Sequence, residues 1–123
     1  MAEHLITGKK GEAIAVEYLR KEGFEIIATN WRLRHLEIDI IAKEKGDLVI
    51  VEVKSRHSNF FGEPETAVNK KKQRLLSRAA NGYVRWTRYQ GETRFDIIGI
   101  LFTNQGHQLT HIRDAFFPGM FSF

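Results

Sequence analysis

The sequence predicts an α/β fold in which helices flank a mixed β-sheet. Residues 4–22 and 65–86 repeat apolar side chains at helical spacing. Residues 36–43 and 47–54 are rich in the β-branched side chains that suit strands, and residues 94–102 form a further strand-like run. The order of one helix, three strands, one helix and one or two strands is typical of a mixed sheet covered by helices.

The first helix and strand are predicted from spacing and from one glycine. The apolar stripe of the first helix contains a single acid, Glu12, and the helix ends at Gly23. Residues 24–30 are then predicted to form the first strand, and residues 31–35 lead into the next one. The predicted sheet therefore begins with three consecutive strands.

The second half of the chain supplies the remaining elements. A polar loop at residues 55–64 precedes the second helix. The run at 94–102 is almost continuously apolar, which predicts a central strand covered on both faces. Residues 108–113 form a candidate last strand. The aromatic tail at 115–123 either covers the sheet or forms a symmetric dimer contact.

Charged residues interrupt the second and third strands, and a hairpin would bring them together. If residues 45–46 form a two-residue turn, with glycine supplying the positive φ, paired positions sum to 91. Asp39 then faces Glu52, and Glu37 faces Lys54. Glu52 and Lys54 share one strand face because they are two positions apart. An ordinary solvated sheet face is the alternative interpretation.

Two carboxylates on one strand face indicate a site for a hard divalent cation. Like charges directly opposite each other are destabilising, and a bound cation removes that penalty. Mg²⁺ and Mn²⁺ prefer oxygen ligands, which Asp39, Glu52, a carbonyl near Val53 and Glu12 could supply. Lys54 could orient an attacking water or stabilise charge on a phosphate. Glu12 could instead be a charge favoured by the helix dipole.

Composition limits the class of protein and its partners. The chain has 123 residues and no cysteine, so disulfides and thiolate metal sites are excluded. Residues 1–123 are expected to form one domain. Without a long apolar run or a signal-like N-terminus, we expect a cytoplasmic protein that is not inserted in a membrane. A net charge of +4 favours a polyanionic partner.

Basic residues are predicted to surround the acids and to contact phosphates without reading sequence. A solvated helix face is an equally good interpretation of the basic run in the second helix. Trp31 and Trp86 could stack on unpaired bases, although core packing is the preferred interpretation for both. The predicted nucleic-acid-binding residues are Lys9, Lys10, Arg32, Arg34, Arg56 and Lys72.

The sequence resembles a known family along nearly its whole length. The pattern from Asp39 to Lys54 resembles the core of the PD-(D/E)xK, or restriction endonuclease-like, nucleases. More narrowly, the chain resembles the YraN-like family of bacterial proteins. The motifs that carry this resemblance include Gly8-Lys9-Lys10-Gly11-Glu12, Asn30-Trp31-Arg32, Glu37-Ile38-Asp39, Val51-Glu52-Val53-Lys54-Ser55-Arg56 and Arg94-Phe95-Asp96.

The resemblance implies a fold, a site and an activity. YraN-like proteins are similar in fold to archaeal Holliday junction resolvases, which implies a mixed five-stranded sheet between helices. Carried over, Glu12, Asp39 and Glu52 are metal ligands, Lys54 is the catalytic lysine and Lys72 is a basic residue that reaches phosphate. The expected function is Mg²⁺- or Mn²⁺-dependent hydrolysis of DNA, and action on four-way junctions would require a homodimer. A non-catalytic nucleic-acid-binding module and a protein-binding adaptor are the alternatives.

Overall fold

The fold is seen in a computed structural model that describes residues 2–57 and 68–117. Within these residues, five strands form one sheet in the order β1-β2-β3-β4-β5, in which only the β3–β4 pair is parallel. This mixed five-stranded sheet with two helices confirms the predicted α/β class and is consistent with a restriction endonuclease-like fold. The elements in chain order are α1 (Ala2–Lys21), β1 (Glu25–Leu33), β2 (Leu36–Glu44), β3 (Asp47–His57), α2 (Lys70–Thr87), β4 (Thr93–Thr103) and β5 (Gly106–Phe116).

The sheet is covered by one helix on each face. Ala15 and Leu19 of α1 pack on one face, and Leu76 and Ala79 of α2 pack on the other. Because side chains alternate along a strand, β3 supplies both cores, with odd-numbered residues toward α1 and even-numbered residues toward α2. β4 pairs with strands on both sides, which confirms its predicted central position.

Three predicted boundaries in the middle of the chain differ from the structure. β3 runs to His57, so residues 55–57 of the predicted loop belong to this strand. β1 runs to Leu33 and does not end at Asn30, because its ladder with β2 continues to the pair Leu33↔Leu36. The second helix begins at Lys70, because the Asn69 side chain accepts a hydrogen bond from the Lys72 N–H and caps the helix. The predicted helical residues 65–67 lie outside the described residues.

The last strand is confirmed and is longer than predicted. β5 extends to Phe116, whose ring stacks on Phe95 at a centroid distance of 4.7 Å. Residues 115–116, which the sequence assigned to the aromatic tail, therefore belong to the sheet. Residues 118–123 lie outside the described residues, and so does the dimer contact proposed for them.

The β2–β3 hairpin has the predicted register. Lys45 and Gly46 both have positive φ, at 51° and 88°, as a two-residue hairpin turn requires. Pairs from Glu44↔Asp47 to Ile40↔Val51 sum to 91, as expected. The described ladder ends there, whereas β1–β2 and β3–β4 pairing continues toward the same end of the sheet. We call this opening between β2 and β3, which contains Asp39 and Glu52, the acid fork.

Strand β2 is irregular where it enters the acid fork. Ile38 packs in the core under α2, whereas Ile40 packs in the core under α1, although residues two apart share a face in a regular strand. The side-chain alternation therefore shifts at Asp39. In β1, Asn30 lies between the pairs Thr29↔Ile40 and Trp31↔Ile38 and has a φ of 51°. This local distortion aims Asp39 into the fork.

A second charged cluster lies on the α1 face, toward the hairpin end of the sheet. Its centre is Asp96, which accepts hydrogen bonds from Arg94 Nε at 3.0 Å, Arg94 Nη2 at 3.2 Å, His111 Nε2 at 2.8 Å and the Asp114 N–H at 3.0 Å. Arg94 also contacts Glu44 at 2.8 Å. We call this cluster the Asp96 network; its members are Asp96, Arg94, His111, Glu44, Arg113 and Tyr18.

Candidate metal and nucleic-acid site

The acid fork is held open by a side chain that replaces a backbone partner. The Val53 N–H donates a hydrogen bond to Asp39 Oδ2 at 2.8 Å. A carbonyl of β2 would normally accept this bond in a continuous ladder. The Asp39 carboxylate therefore satisfies the edge of β3 and leaves its second oxygen directed into the fork.

Two carboxyl groups meet in the acid fork. Burial raises the pKa of Asp39 to about 8, and the neighbouring Glu52 charge adds to the effect, while the Val53 hydrogen bond opposes it. Glu52 is almost completely buried. The predicted proximity of Asp39 and Glu52 is therefore confirmed, although a fork brings them together and not a continued ladder. At neutral pH this pair retains a proton unless a cation compensates its charge.

Two lysines neutralise one side of Glu52. Its Oε2 lies 3.3 Å from Lys54 Nζ and 3.5 Å from Lys72 Nζ, and Lys72 comes from the first turn of α2. The prediction that Glu37 pairs with Lys54 is wrong. Glu37 faces Arg32 across the β1–β2 ladder and forms an ion pair with it at 3.5 Å, because β1 extends further than predicted.

The other oxygen of Glu52 has no such partner. Glu52 Oε1 is buried and accepts no hydrogen bond from the part of the chain that the structure describes. A buried carboxylate oxygen without a partner is costly, and such groups occur where a ligand or ion completes the site. This oxygen, in a carboxylate beside Asp39, is the chemically incomplete part of the fork.

Helix α1 carries Glu12 close to the same region. A side chain at Gly11 would clash with Ser55 Oγ of β3, so glycine is needed for the helix to approach the sheet here. Burial raises the pKa of Glu12, an Asn30 hydrogen bond lowers it, and the Glu37 and Glu52 charges raise it. Sequence reasoning missed Asn30; an asparagine within a predicted strand was the available signal, because it tolerates positive φ.

The three predicted metal ligands are only partly brought together. Within residues 2–57 and 68–117, no three acidic or histidine side chains form a ready metal-binding cluster. Asp39 and Glu52 are in direct contact, whereas Glu12 acts on them through its charge. The role of Glu12 as a ligand, and that of the Val53 carbonyl, stay predictions.

The predicted basic residues lie toward the acid fork end of the sheet. The β1–β2 turn, the end of β3 and the starts of both helices lie at this end. The start of α1 meets the end of β3 here, because Thr7 Oγ1 lies 3.4 Å from His57 Nε2. Lys9 and Asn30 also line a groove of about 630 Å³ between α1 and β1. The exposed members of the set are Lys9, Lys10, Arg32 and Arg34, and the half-buried ones are Arg56 and Lys72.

The fold and site place the chain among α/β proteins whose mixed sheet carries an acidic pair beside lysines. Residues 11–100 match the family described as "Uncharacterised protein family UPF0102". The chain belongs to this family, which is the YraN-like family that the sequence resembles.

Relatives in other bacteria span the whole domain. A UPF0102 protein of Bacteroides thetaiotaomicron is 43% identical over 98% of this chain and 100% of its own length. A UPF0102 protein of Christiangramia forsetii is 46% identical over 95% of this chain and 98% of its own length. These names state no activity, so the function must be argued from the site.

Neither helix in the described part of the chain is both long and apolar enough to cross a membrane.

Proposed function

We propose that this protein is a cytoplasmic, metal-dependent nuclease that hydrolyses phosphodiester bonds in DNA. The observation that carries the proposal is the buried Glu52 Oε1, which accepts no hydrogen bond from the described residues and lies beside Asp39, whose pKa is raised to about 8. Perturbed carboxyl groups that lack a compensating partner cluster at functional sites. A divalent cation is the ligand that satisfies both carboxylates.

The residues of the acid fork fit Mg²⁺ or Mn²⁺. Asp39 and Glu52 supply hard carboxylate oxygens, and the chain contains no cysteine that would favour a softer metal. Glu12 is the proposed third acid. When bound, such an ion supplies Lewis acidity toward phosphate and lowers the pKa of a coordinated water.

The lysines supply positive charge at the same place. Lys54 lies 3.3 Å from Glu52, so its ammonium can orient a water or stabilise the charge that builds on a phosphate during attack. Lys72 lies on the side of α2 and can contact an adjacent phosphate. In the proposed reaction, water adds to phosphorus, the bond to the leaving oxygen breaks, and that oxygen takes up a proton.

The partner is proposed to be DNA with branched or single-stranded segments. The basic residues at the fork end, which include Lys9, Arg34 and Arg56, would contact the backbone and carry no base specificity. Because such contacts release counterions, affinity should fall steeply with added salt.

The test is cleavage of branched, nicked and single-stranded DNA by the purified protein with Mg²⁺ or Mn²⁺. Asp39→Ala and Lys54→Ala should each abolish cleavage. Asp47→Ala and Lys21→Ala are matched controls, because both residues lie outside the fork, and their side chains are 41% and 74% exposed. Cleavage that survives both fork substitutions would reject the proposed catalytic roles.

A non-catalytic nucleic-acid-binding module is the second candidate. The observation that favours it is that Lys54 and Lys72 already neutralise Glu52 Oε2, while Glu12 remains outside the acidic pair. Salt-sensitive DNA binding without cleavage of any of the three substrate types would favour this candidate.

A further inference from the structure

An aromatic cluster is exposed near the C-terminal end of α2. Trp86, near the end of α2, is 73% exposed, so the preferred interpretation of this residue as core packing is wrong. Its ring lies 6.5 Å from Trp31 and 6.2 Å from Tyr83, measured between centroids. Trp31 and Tyr83 contact each other edge to face at 5.3 Å and support Trp86 from beneath. A large apolar ring held in a fixed place but open to solvent indicates a binding surface.

The same helix presents a continuous positive face. Lys71, Arg74, Arg78 and Arg85 follow a spacing of three, four and seven residues, which places them on one side of α2. The helix contains no acidic residue. Among the residues the structure describes, Lys72 is the one basic side chain of α2 that forms an ion pair.

This charge distribution works against helix stability. Lys70, Lys71 and Lys72 occupy the first turn of α2, where the helix dipole disfavours positive charge. No acid in that turn offsets the effect. A polyanion lying along the helix removes the repulsion, which makes an extended phosphate backbone the occupant that fits this face.

We propose that Trp86 is a stacking platform for an unpaired base of a nucleic-acid strand that follows the basic face of α2. Lys72 and Trp86 are 14 residues apart, or about 21 Å along the helix axis. At the backbone spacing of one DNA strand, this distance corresponds to about six nucleotides. The inference rests on the proposed function, in that the strand reaching Trp86 continues toward Lys72 and the acid fork.

The aromatic ring determines the class of strand that binds. Duplex DNA keeps its bases stacked inside the helix and offers phosphates alone to this surface. An unpaired strand offers phosphates to the arginines and a base to Trp86, and such stacking tolerates any sequence. Trp86 is therefore a specificity-determining residue that favours single-stranded or branched substrates over continuous duplex.

The test compares the affinity of wild-type protein, Trp86→Ala and Trp86→Phe for oligothymidylate of about 12 nucleotides and for a duplex of equal length. All titrations are made in EDTA, which removes any contribution from cleavage. Trp86→Ala should weaken oligothymidylate binding by about tenfold or more and change duplex binding less than about twofold. Trp86→Phe should retain most of the affinity because it keeps a stacking ring.

Phe117→Ala is the matched control. Phe117 is also strongly exposed, at 63%, but lies beyond the end of β5 and not on α2. Its substitution should leave both affinities unchanged. Equal losses for Phe117→Ala and Trp86→Ala, or unchanged oligothymidylate affinity in Trp86→Ala, would overturn the inference. If Trp86→Ala loses self-association but keeps its DNA affinity, the stacking inference is overturned, and Trp86 instead forms a contact between two copies of the chain.

The outcome is separable from that of the proposed nuclease function. If the wild-type protein cleaves no DNA but binds oligothymidylate through Trp86, the stacking inference stands and the nuclease proposal fails. If it cleaves DNA and Trp86→Ala binds both probes like wild type, the nuclease proposal stands and the stacking inference fails.

Discussion

The acid fork and the Asp96 network each contain an aspartate in a charged setting, yet their electrostatics are opposite. Asp96 is completely buried, but the His111 and Arg94 hydrogen bonds outweigh its desolvation and lower its pKa. Asp39 has one backbone donor and an acidic neighbour, and its pKa is raised to about 8. The pKa of a buried carboxyl group therefore depends on its hydrogen-bond and charge partners as well as on its burial.

The comparison separates a completed hydrogen-bond network from an incomplete one. In the Asp96 network, His111 Nε2 lies 2.8 Å from Asp96 and His111 Nδ1 lies 2.9 Å from the Tyr18 hydroxyl, so both ring nitrogens have a hydrogen-bond partner. In the acid fork, Glu52 Oε1 remains without a donor from the described residues. A completed network stabilises the fold, whereas an incomplete one is available to bind a ligand.

The largest expected effect separates activity from stability. Glu52→Gln keeps the shape of the side chain but removes the charge that a cation needs, so we expect cleavage to fall by at least about 10³-fold. Thermal unfolding should show a smaller loss of stability than in Asp96→Asn, because loss of the Lys54 and Lys72 ion pairs is offset by loss of the repulsion from Asp39. The matched substitution Asp96→Asn should leave the cleavage rate per folded molecule within about twofold of wild type. Comparable rate losses in both variants would contradict the division between the two regions.

The next effect is on stability. Asp96→Asn removes the completely buried charge that pairs with Arg94, whose guanidinium then keeps Glu44 and the more exposed Asp47 as its acidic partners. We expect the free energy of unfolding to fall by about 3–5 kcal/mol, as when one member of a buried ion pair is removed. Urea denaturation measures this change, with Glu17→Gln, whose side chain is 70% exposed and pairs with Lys21, as the control. A loss below about 1 kcal/mol would show that the network does not stabilise the fold.

A smaller effect should appear in the pH dependence of stability without divalent ions. The folded-state pKa of Asp39, about 8, lies above its ordinary value of 3.8. Between these two pH values Asp39 is protonated in the folded protein and ionised in the unfolded chain. Stability from this group is therefore complete below about pH 4 and is lost as pH rises toward 8. Asp96 behaves oppositely: its lowered pKa gives stability that is present above its ordinary pKa and is lost in acid.

Asp39→Asn tests this sign. The variant should be more stable than wild type at pH 8 by about 2 kcal/mol, and the advantage should shrink toward pH 5. Urea denaturation at both pH values, with EDTA present, measures the difference. If Asp39→Asn is destabilised more at pH 8 than at pH 5, Asp39 is charged and well compensated, and the description of the fork is wrong.

The smallest effect is expected at the rim of the Asp96 network. Arg113 is 46% exposed and pairs with Glu44 at 2.8 Å. Solvent screens such a pair, so Arg113→Ala should change the free energy of unfolding by less than about 1 kcal/mol. Urea denaturation should give a similar small value for Lys21→Ala, which breaks the exposed pair with Glu17. A loss near that of Asp96→Asn would place the stabilising contacts at the rim and not at Asp96.

Local sequence signals predicted the hairpin well. β-branched strands on either side of Lys45 and Gly46 determine the turn and the register, and these bring Asp39 toward Glu52. The partner of Glu37 could not be predicted, because it depends on how far β1 continues beyond Asn30. The cap at Asn69 was missed because apolar helical spacing continues through Val68.

Long-range contacts were the least predictable. His111 contacts Asp96 from the neighbouring strand, 15 positions away along the chain. The register that brings them together includes a shift between the pairs of Phe95 and Ile97, which no local pattern reveals. Trp86 was assigned to the core because aromatic residues usually pack there, and the sequence alone does not show that α2 turns this ring outward.

Calorimetric titration with Mn²⁺ at pH 7, in buffers of different ionisation enthalpy, tests the central claim most directly. We expect a single Mn²⁺ to bind in the millimolar range or tighter and to release about one proton, since the metal displaces the proton that Asp39 and Glu52 retain. Binding should disappear in Asp39→Asn and Glu52→Gln and persist in Asp47→Asn. Absence of binding to the wild-type protein, or binding that both fork variants retain, would contradict a metal site in the acid fork.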